Sequence, residues 1–345
     1  MQQTFEYFVV DPGTWRDVSQ LRNVRQCTIS RDDEAETLGS ATIDISGSLD
    51  ECYIRVYLVT IQNGIRERHP LGTFLVQTPS YNYNGKLRDS SLDAYTPLLE
   101  LKENPPPLGY SVLKGENIMG AAYRIARDHA RAPIVATECD KTLEYDFVAN
   151  TNDRWITFLS DLISNAKYEF SLDELGRILF APVQELESLQ PVWTYNDDNS
   201  SILQPEVSVD RDLYGIPNVV EVVYSKGIET ISARVVNDDS NSPTSTVRRG
   251  REIIQRITDP DMVGLPTQEQ IQEYAERALK ELSSIEYTVT YTHGYCPVRL
   301  GDCVRLNYSR AELNGIKAKV VSQSIQCKVG CPVTEKAVFT KKLWR

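Results

Sequence analysis

Hydrophobic and polar residues alternate with period two over much of this chain, and the cleanest change of period lies between Thr267 and Leu306. Thr267 follows Pro266 and precedes Gln270 by three residues, the spacing at which a hydroxyl and an amide satisfy orphan backbone donors at a helix start. Ile271, Tyr274, Ala275, Ala278, Leu279 and Leu282 then recur at helical spacing, while Gln272, Glu273, Glu276, Arg277 and Lys280 face elsewhere, so the pattern predicts an amphipathic helix with one buried face. Next, Ile285, Tyr287, Val289 and Tyr291 alternate with Glu286, Thr288, Thr290 and Thr292, which predicts a half-buried antiparallel strand. Pro297 to Leu300 enters a Gly301-Asp302 turn and Cys303 to Leu306 leaves it, a reversal between two extended segments.

From Val24 to Leu101 the same period-two signal repeats in short runs: Cys27 to Ser30, Ala41 to Ile45 and Cys52 to Val59. Turns follow at Gln62-Asn63-Gly64 and Tyr83-Asn84-Gly85, because both positions of an Asn-Gly turn tolerate positive φ. The expectation is an antiparallel barrel or sandwich. Asn104-Pro105-Pro106-Pro107 then donates no ladder hydrogen bonds and marks a boundary. Beyond it, helices are expected over 116–129 and 154–166, a strand over 142–148, and a hairpin at 168–180 turning through Asp173 to Gly176. This middle part reads as α+β. Strands resume near Pro205, with Asn218 to Tyr224 and Thr230 to Val236 joined by a Lys226-Gly227 turn, and two more lie in 316–343. The polar segment from Asn237 to Ser245 reads as a mobile loop.

Composition narrows the function classes. A chain of 345 residues exceeds one hydrophobic core, so two or more domains are expected. No apolar run reaches spanning length, and Met1 to Glu6 is polar and acidic where a secretory signal would be basic and then apolar. The 37 basic against 48 acidic residues leave a net charge of -11, which argues against a general nucleic-acid binder but fits a surface that DNA passes without adhering.

Seven cysteines without a signal peptide are expected as thiols. Cys296, Cys303, Cys327 and Cys331 are candidate zinc ligands by number only, since their gaps are not the usual knuckle spacings, and Cys303 falls where a strand residue should pack. The adjacent carboxylates Asp32-Asp33 and Asp197-Asp198 are expected in solvated loops. Of the histidines, His129 lies near a helix C-terminus, His69 precedes Pro70, and His293 precedes Gly294 at a strand end; none stands in a familiar nucleophile or metalloprotease pattern. No catalytic, cofactor-binding or metal residue is assigned. The 18 tyrosines sit mostly at alternating strand positions, where cross-strand pairing explains them.

An internal echo organises the rest. Adding 244 to the numbering sets Val76 on Val320, Ser80 on Ser324, Tyr81 on Ile325, Ala94 on Val338, Tyr95 on Phe339, Thr96 on Thr340 and Leu99 on Leu343. Upstream of each copy runs an apolar-Arg-apolar strand, Ile54-Arg55-Val56 and Val304-Arg305-Leu306. Two related barrels flanking an inserted module are expected.

With Trp155 to Pro182, Asn218 to Tyr224 and the Thr267 to Leu306 cassette in this order, the chain resembles the phage tail hub proteins, the family of the baseplate hubs of contractile-tailed phages and related injection machines. The resemblance implies a mainly β fold of two tube-type antiparallel β-barrels with smaller α+β insertions: 1–103 as first barrel, 104–195 as inserted module, and 196–345 as second barrel, interrupted by a loop-helix insertion at about 237–284. It further implies a homotrimer in a virion tail baseplate, assembled in the host cytoplasm. That trimer would match a sixfold tail tube to a threefold spike and form part of the DNA conduit. Its partners would be a tail tube or distal tail protein on one face and a spike or tail-tip protein on the other, with baseplate wedge and tape measure proteins as further candidates. The apolar face of the Thr267 helix is expected to dock near a subunit boundary. The stretch Tyr110 to Ile118 also resembles the opening of a LysM repeat, which gives the alternative of a peptidoglycan-binding tail-tip module.

Overall fold

The computed structural model describes residues 2–83, 85–198, 203–211, 213–225, 230–260 and 266–342. It is mainly β. The N-terminal strands are β1 (Gln2–Asp11), β2 (Arg16–Leu21), β3 (Val24–Asp32), β4 (Gly39–Ser46), β5 (Tyr53–Gln62), β6 (Ile65–Val76), β7 (Asn82–Tyr83) and β8 (Arg88–Tyr95). The middle holds α1 (Leu99–Glu103), β9 (Ser111–Val112), α2 (Ile118–His129), β10 (Phe147–Val148), α3 (Trp155–Ser164), β11 (Tyr168–Leu172) and β12 (Ile178–Pro182). Then come β13 (Trp193–Asn196), β14 (Leu203–Arg211), β15 (Val219–Tyr224), β16 (Ile231–Val236), α4 (Thr246–Arg249), β17 (Ile254–Thr258), α5 (Gln268–Leu282), β18 (Ser284–Gly294), β19 (Cys303–Tyr308), β20 (Leu313–Gln326) and β21 (Pro332–Lys342).

By contacts the chain divides into one unit of 1–206 with 291–336 and a second of 207–290 with 337–345. In the first unit, Ile29, Ile43, Ile54, Leu58, Leu71 and Leu92 form one core, joined by Ile325 and Val333 from the C-terminal strands, because β3 pairs with β20. A separate core of Ile125, Trp155, Phe158, Leu159, Leu162 and Phe180 holds α1, α2, α3, β11 and β12 together. Asn117 starts α2 by accepting from the Gly120 N–H at 2.8 Å. In the second unit, α5 lays Ile271, Ala275, Ala278 and Leu279 on Val220, Val222, Tyr224, Ala233 and Val235 of β15 and β16. Its capping box is present, with Thr267 Oγ1 accepting from the Gln270 N–H and Gln270 Oε1 from the Thr267 N–H. The expectation that this helix face docks near a subunit boundary is therefore corrected: the chain's own sheet covers it.

The strand order repeats. Hydrogen-bonded neighbours run β14-β18-β21-β20-β3-β4-β8-β6-β5-β1-β2, with β19 also on β20 and β13 on β19. The series β3-β4-β8-β6-β5 and β14-β18-β21-β20-β19 therefore take their strands in the same relative chain order. The register agrees as well: Arg55 faces Thr73 and Arg305 faces Lys317, and 73 plus 244 is 317. Each hairpin then breaks its ladder at the corresponding place, after Val56 and after Leu306. The residue skipped on the partner strand is Leu71 in one and Gly315 in the other, again 244 apart. The expected pair Leu99 and Leu343 cannot be compared, since 343–345 lie outside the described residues, as do Asn84 of one expected turn and Lys226-Gly227 of another.

Four local expectations change. The strand over 142–148 shrinks to Phe147–Val148, because the backbone ahead of it is taken by the loop before α2: Ile118 N–H bonds Lys141 O, and Gly115 N–H bonds Leu143 O. The segment from Pro297 to Leu300 is not a strand; Asp302 Oδ2 accepts from the Arg299 N–H and Gln323 Nε2 donates to Val298 O, so side chains replace a ladder. The polar run from Asn237 to Ser245 is packed, not loose. Asn237, Ser242, Thr244 and Ser245 are fully buried; Asn237 Nδ2 donates to Ser242 Oγ at 3.0 Å and Asn218 Nδ2 to Thr244 O at 3.1 Å. Pairing is also not purely antiparallel, since β13 with β19 and β15 with β17 run parallel.

Candidate functional site

Strand β18 continues its inward face past Tyr291 to His293, and there the first unit buries a polar cluster. Tyr291 Oη donates to Glu335 Oε2 at 2.7 Å and Tyr195 Oη to the same oxygen at 3.3 Å. Gln323 Nε2 donates to Glu335 Oε1 at 2.6 Å, and His293 Nε2 lies 3.2 Å from that atom. Arg31 Nη1 donates to Gln323 Oε1 at 2.9 Å and its Nη2 to Leu71 O at 2.7 Å, tying β3 and β6 into the cluster. The His293 and Glu335 side chains are 1% and 0% exposed. Burial opposes charge on His293, but hydrogen bonds to Cys296 and Glu335 and the attraction of Glu335 outweigh it and raise its pKa to about 9. Burial would raise the Glu335 carboxyl too; the His293, Tyr291 and Gln323 donors reverse this and hold it below its ordinary value. The two form an ion pair shut away from solvent. This arrangement positions strands and offers no access to a substrate.

A second polar cluster attaches the middle module. Arg55 is 4% exposed, and its Nε donates to Thr73 Oγ1 and its Nη1 to Asp17 Oδ1, both at 2.9 Å. The Leu175 carbonyl, in the turn between β11 and β12, accepts from Arg55 Nη2 at 3.2 Å, Trp15 Nε1 at 2.8 Å and Thr73 Oγ1 at 3.0 Å. Strand β5 is accordingly buried on both faces where alternation predicted one.

Beside this attachment the first unit has a cleft of about 700 Å³. It is lined by the β3–β4 turn (33–36), residues 71–74 of β6, strand β11 with the turn that follows it, and the turn at 299–303. Arg299 pairs with Glu174 across it, and Lys319 Nζ lies 3.9 Å from Glu169. Burial raises the Asp302 carboxyl above its usual range.

The residues weighed from sequence are dispersed. His129 stacks on Trp155 at 4.2 Å and 22°, and His69 lies 3.3 Å from Thr60 Oγ1. Asp33 borders the cleft, while Asp197 accepts from Ser309 Oγ at 3.3 Å. All seven cysteines are free; Cys303 is buried, and Cys296 Sγ donates to Gly294 O at 3.5 Å. Among the described residues no three or more His, Cys, Asp or Glu side chains are grouped to hold a metal. In the LysM-like stretch, β9 and β10 pair antiparallel with α2 between them, but the 130–146 segment contains no second helix. Sequence reasoning missed both polar clusters, although the inward register of Ile285, Val289 and Tyr291 points to position 293.

No family model matches the sequence, and no curated protein matches it. Solved structures do share its fold. The tail protein from Neisseria meningitidis MC58 superposes with a TM-score of 0.63 over 100% of this chain and 98% of that one, at 12% identity. The 43 kDa tail protein of prophage MuSo2 from Shewanella oneidensis gives 0.64 over 97% and 98%, at 10% identity. A chain of the Francisella PdpA-VgrG complex gives 0.56 over 98% of this chain and 58% of its own length, at 7% identity.

Proposed function

We propose, from a fold shared end to end with phage tail proteins, that this chain is a structural hub of a phage-like tail. Three copies form a ring that adapts a sixfold tail tube to a threefold spike. The observation that carries the reading is the repeat inside one chain: the same strand order, the same ladder register and the same ladder break, displaced by 244 residues from β6 to β20 and by 250 from β5 to β19. Two like halves per chain let three chains present six like surfaces, which is what matching the two symmetries requires. On this reading the halves are barrels at 1–103 and 196–345, with 104–195 inserted. One face of the ring meets a tail tube or distal tail protein and the other a spike or tail-tip protein. Wedge and tape measure proteins are further neighbours, and the location is the virion tail. The net charge of -11 supports a passage for DNA, since acidic walls do not hold a polyanion. On this reading the role is mechanical, and the sealed His293 and Glu335 pair serves packing.

Light scattering on the purified chain tests the copy number. A trimer has a mass of 3 × 39.1 kDa, about 117 kDa. A single species of 39.1 kDa at every concentration tried would contradict the assembly.

A further inference from the structure

The hairpin that lines the cleft has one used edge and one free edge. Val183 N–H bonds Lys167 O and Asp173 N–H bonds Arg177 O, so by alternation the ladder bonds of β11 with β12 fall at residues 169 and 171. The N–H and C=O of Phe170 and Leu172 then point away from β12. On β12 the corresponding outward groups are satisfied: Ile178 N–H bonds Pro133 O, Val135 N–H bonds Ile178 O, and Thr137 Oγ1 donates to Phe180 O at 3.1 Å. On β11 no strand takes that side among the described residues, and Phe170, Ser171 and Leu172 all border the cleft.

The cleft's charge says what would enter. Its lining carries seven carboxylates and three cations. Arg31 is held by Gln323 and the Leu71 carbonyl, and four of the carboxylates are paired, Glu174 with Arg299, Glu169 beside Lys319, Asp173 with Arg177 and Glu36 with Lys102, so that among the described residues Asp33, Glu34 and Asp302 are left without a cation within 4 Å. On β11 the side chains alternate, with half-buried Phe170 and Leu172 on one face and exposed Glu169 on the other. A strand laid beside it would match apolar residues to the first face and basic residues to the second.

We propose that this cleft receives an extended segment of a partner protein, alternating apolar and lysine or arginine residues, which adds to β11 as a third strand through the outward backbone groups of Phe170 and Leu172. Backbone hydrogen bonds supply affinity and the acidic lining supplies selectivity. The site lies within the first unit and does not depend on how many copies assemble.

The test uses the whole chain and a synthetic seven-residue peptide alternating valine and lysine, with calorimetry for affinity and hydrogen exchange for location. Saturable binding is expected, with exchange at the Phe170 and Leu172 amides slowed about tenfold or more. A valine-glutamate peptide should bind at least about tenfold more weakly, as should the lysine peptide N-methylated along one edge. Replacing two exposed turn carboxylates, Asp33→Lys with Glu34→Lys, should weaken the lysine peptide by about tenfold while leaving the fold intact. The proposal is overturned by no binding at about 1 mM peptide, by equal binding of the N-methylated peptide, or by binding that leaves those two amides unprotected.

Discussion

A buried carboxylate costs several kcal/mol unless donors surround it, and Glu335 is surrounded by Tyr195, Tyr291, Gln323 and His293. Removing the acid by Glu335→Leu leaves the buried His293, Gln323, Tyr195 and Tyr291 donors without their acceptor, and a loss of about 3–5 kcal/mol is expected in denaturant titration. The pH dependence has a defined sign. His293 is raised from 6.5 to about 9, so its contribution is complete below pH 6.5 and is lost as pH rises through 9. Glu335 is lowered from 4.5, so its contribution is present above pH 4.5 and is lost as pH falls through its folded pKa. Melting temperatures should therefore be highest between pH 4.5 and 6.5 and decline toward pH 9, by on the order of 3 kcal/mol in stability; His293→Gln should melt lower at pH 6 and lack the alkaline decline. Gly176 is a second sensitive position. At φ +73° an added Cβ would sit 2.7 Å from Thr73 Cβ, so Gly176→Ala should cost about 1–3 kcal/mol and loosen the middle module first. Carrying the period of Ile285, Val289 and Tyr291 one step further along the sequence would place residue 293 inward. Its partners were illegible there, because Tyr195 lies 98 residues away and no local pattern couples them.

Individual elements obeyed their local chemistry wherever backbone hydrogen bonds stayed local. Helix α5 begins at its capping box and buries the face its spacing implies, except that Leu282 in the last turn is 40% exposed. The Asn63-Gly64 turn has both residues at positive φ and joins β5 to β6. Expectations failed where side chains took over backbone partners. Asn218 and Asn237 fold the polar run after β16 into a packed turn, and Asp302 with Gln323 replaces the strand expected before Gly301. Leu279 is fully buried against β15 and β16, so Leu279→Asp should cost about 3 kcal/mol or more and abolish the helix–sheet core. Thr267→Ala removes only the cap and should cost about 1 kcal/mol. Circular dichroism melts distinguish the two; equal, small effects would show that α5 is not anchored by this face.

Across the whole molecule, the echo read from a handful of residues reappears as strand order and ladder register. Similarity of side chains was faint because each β position constrains only polarity and shape, whereas a ladder break is a backbone feature that either coincides or does not. What sequence could not show is that β3 pairs with β20, so that the two halves share hydrogen bonds within one chain. The hub reading depends on how such halves are arranged when copies meet. End-on averages of the assembled protein by electron microscopy measure this directly. Three copies per ring with six equivalent lobes around the opening are predicted; rings of six copies, or three copies whose two halves lie at different radii, would contradict it.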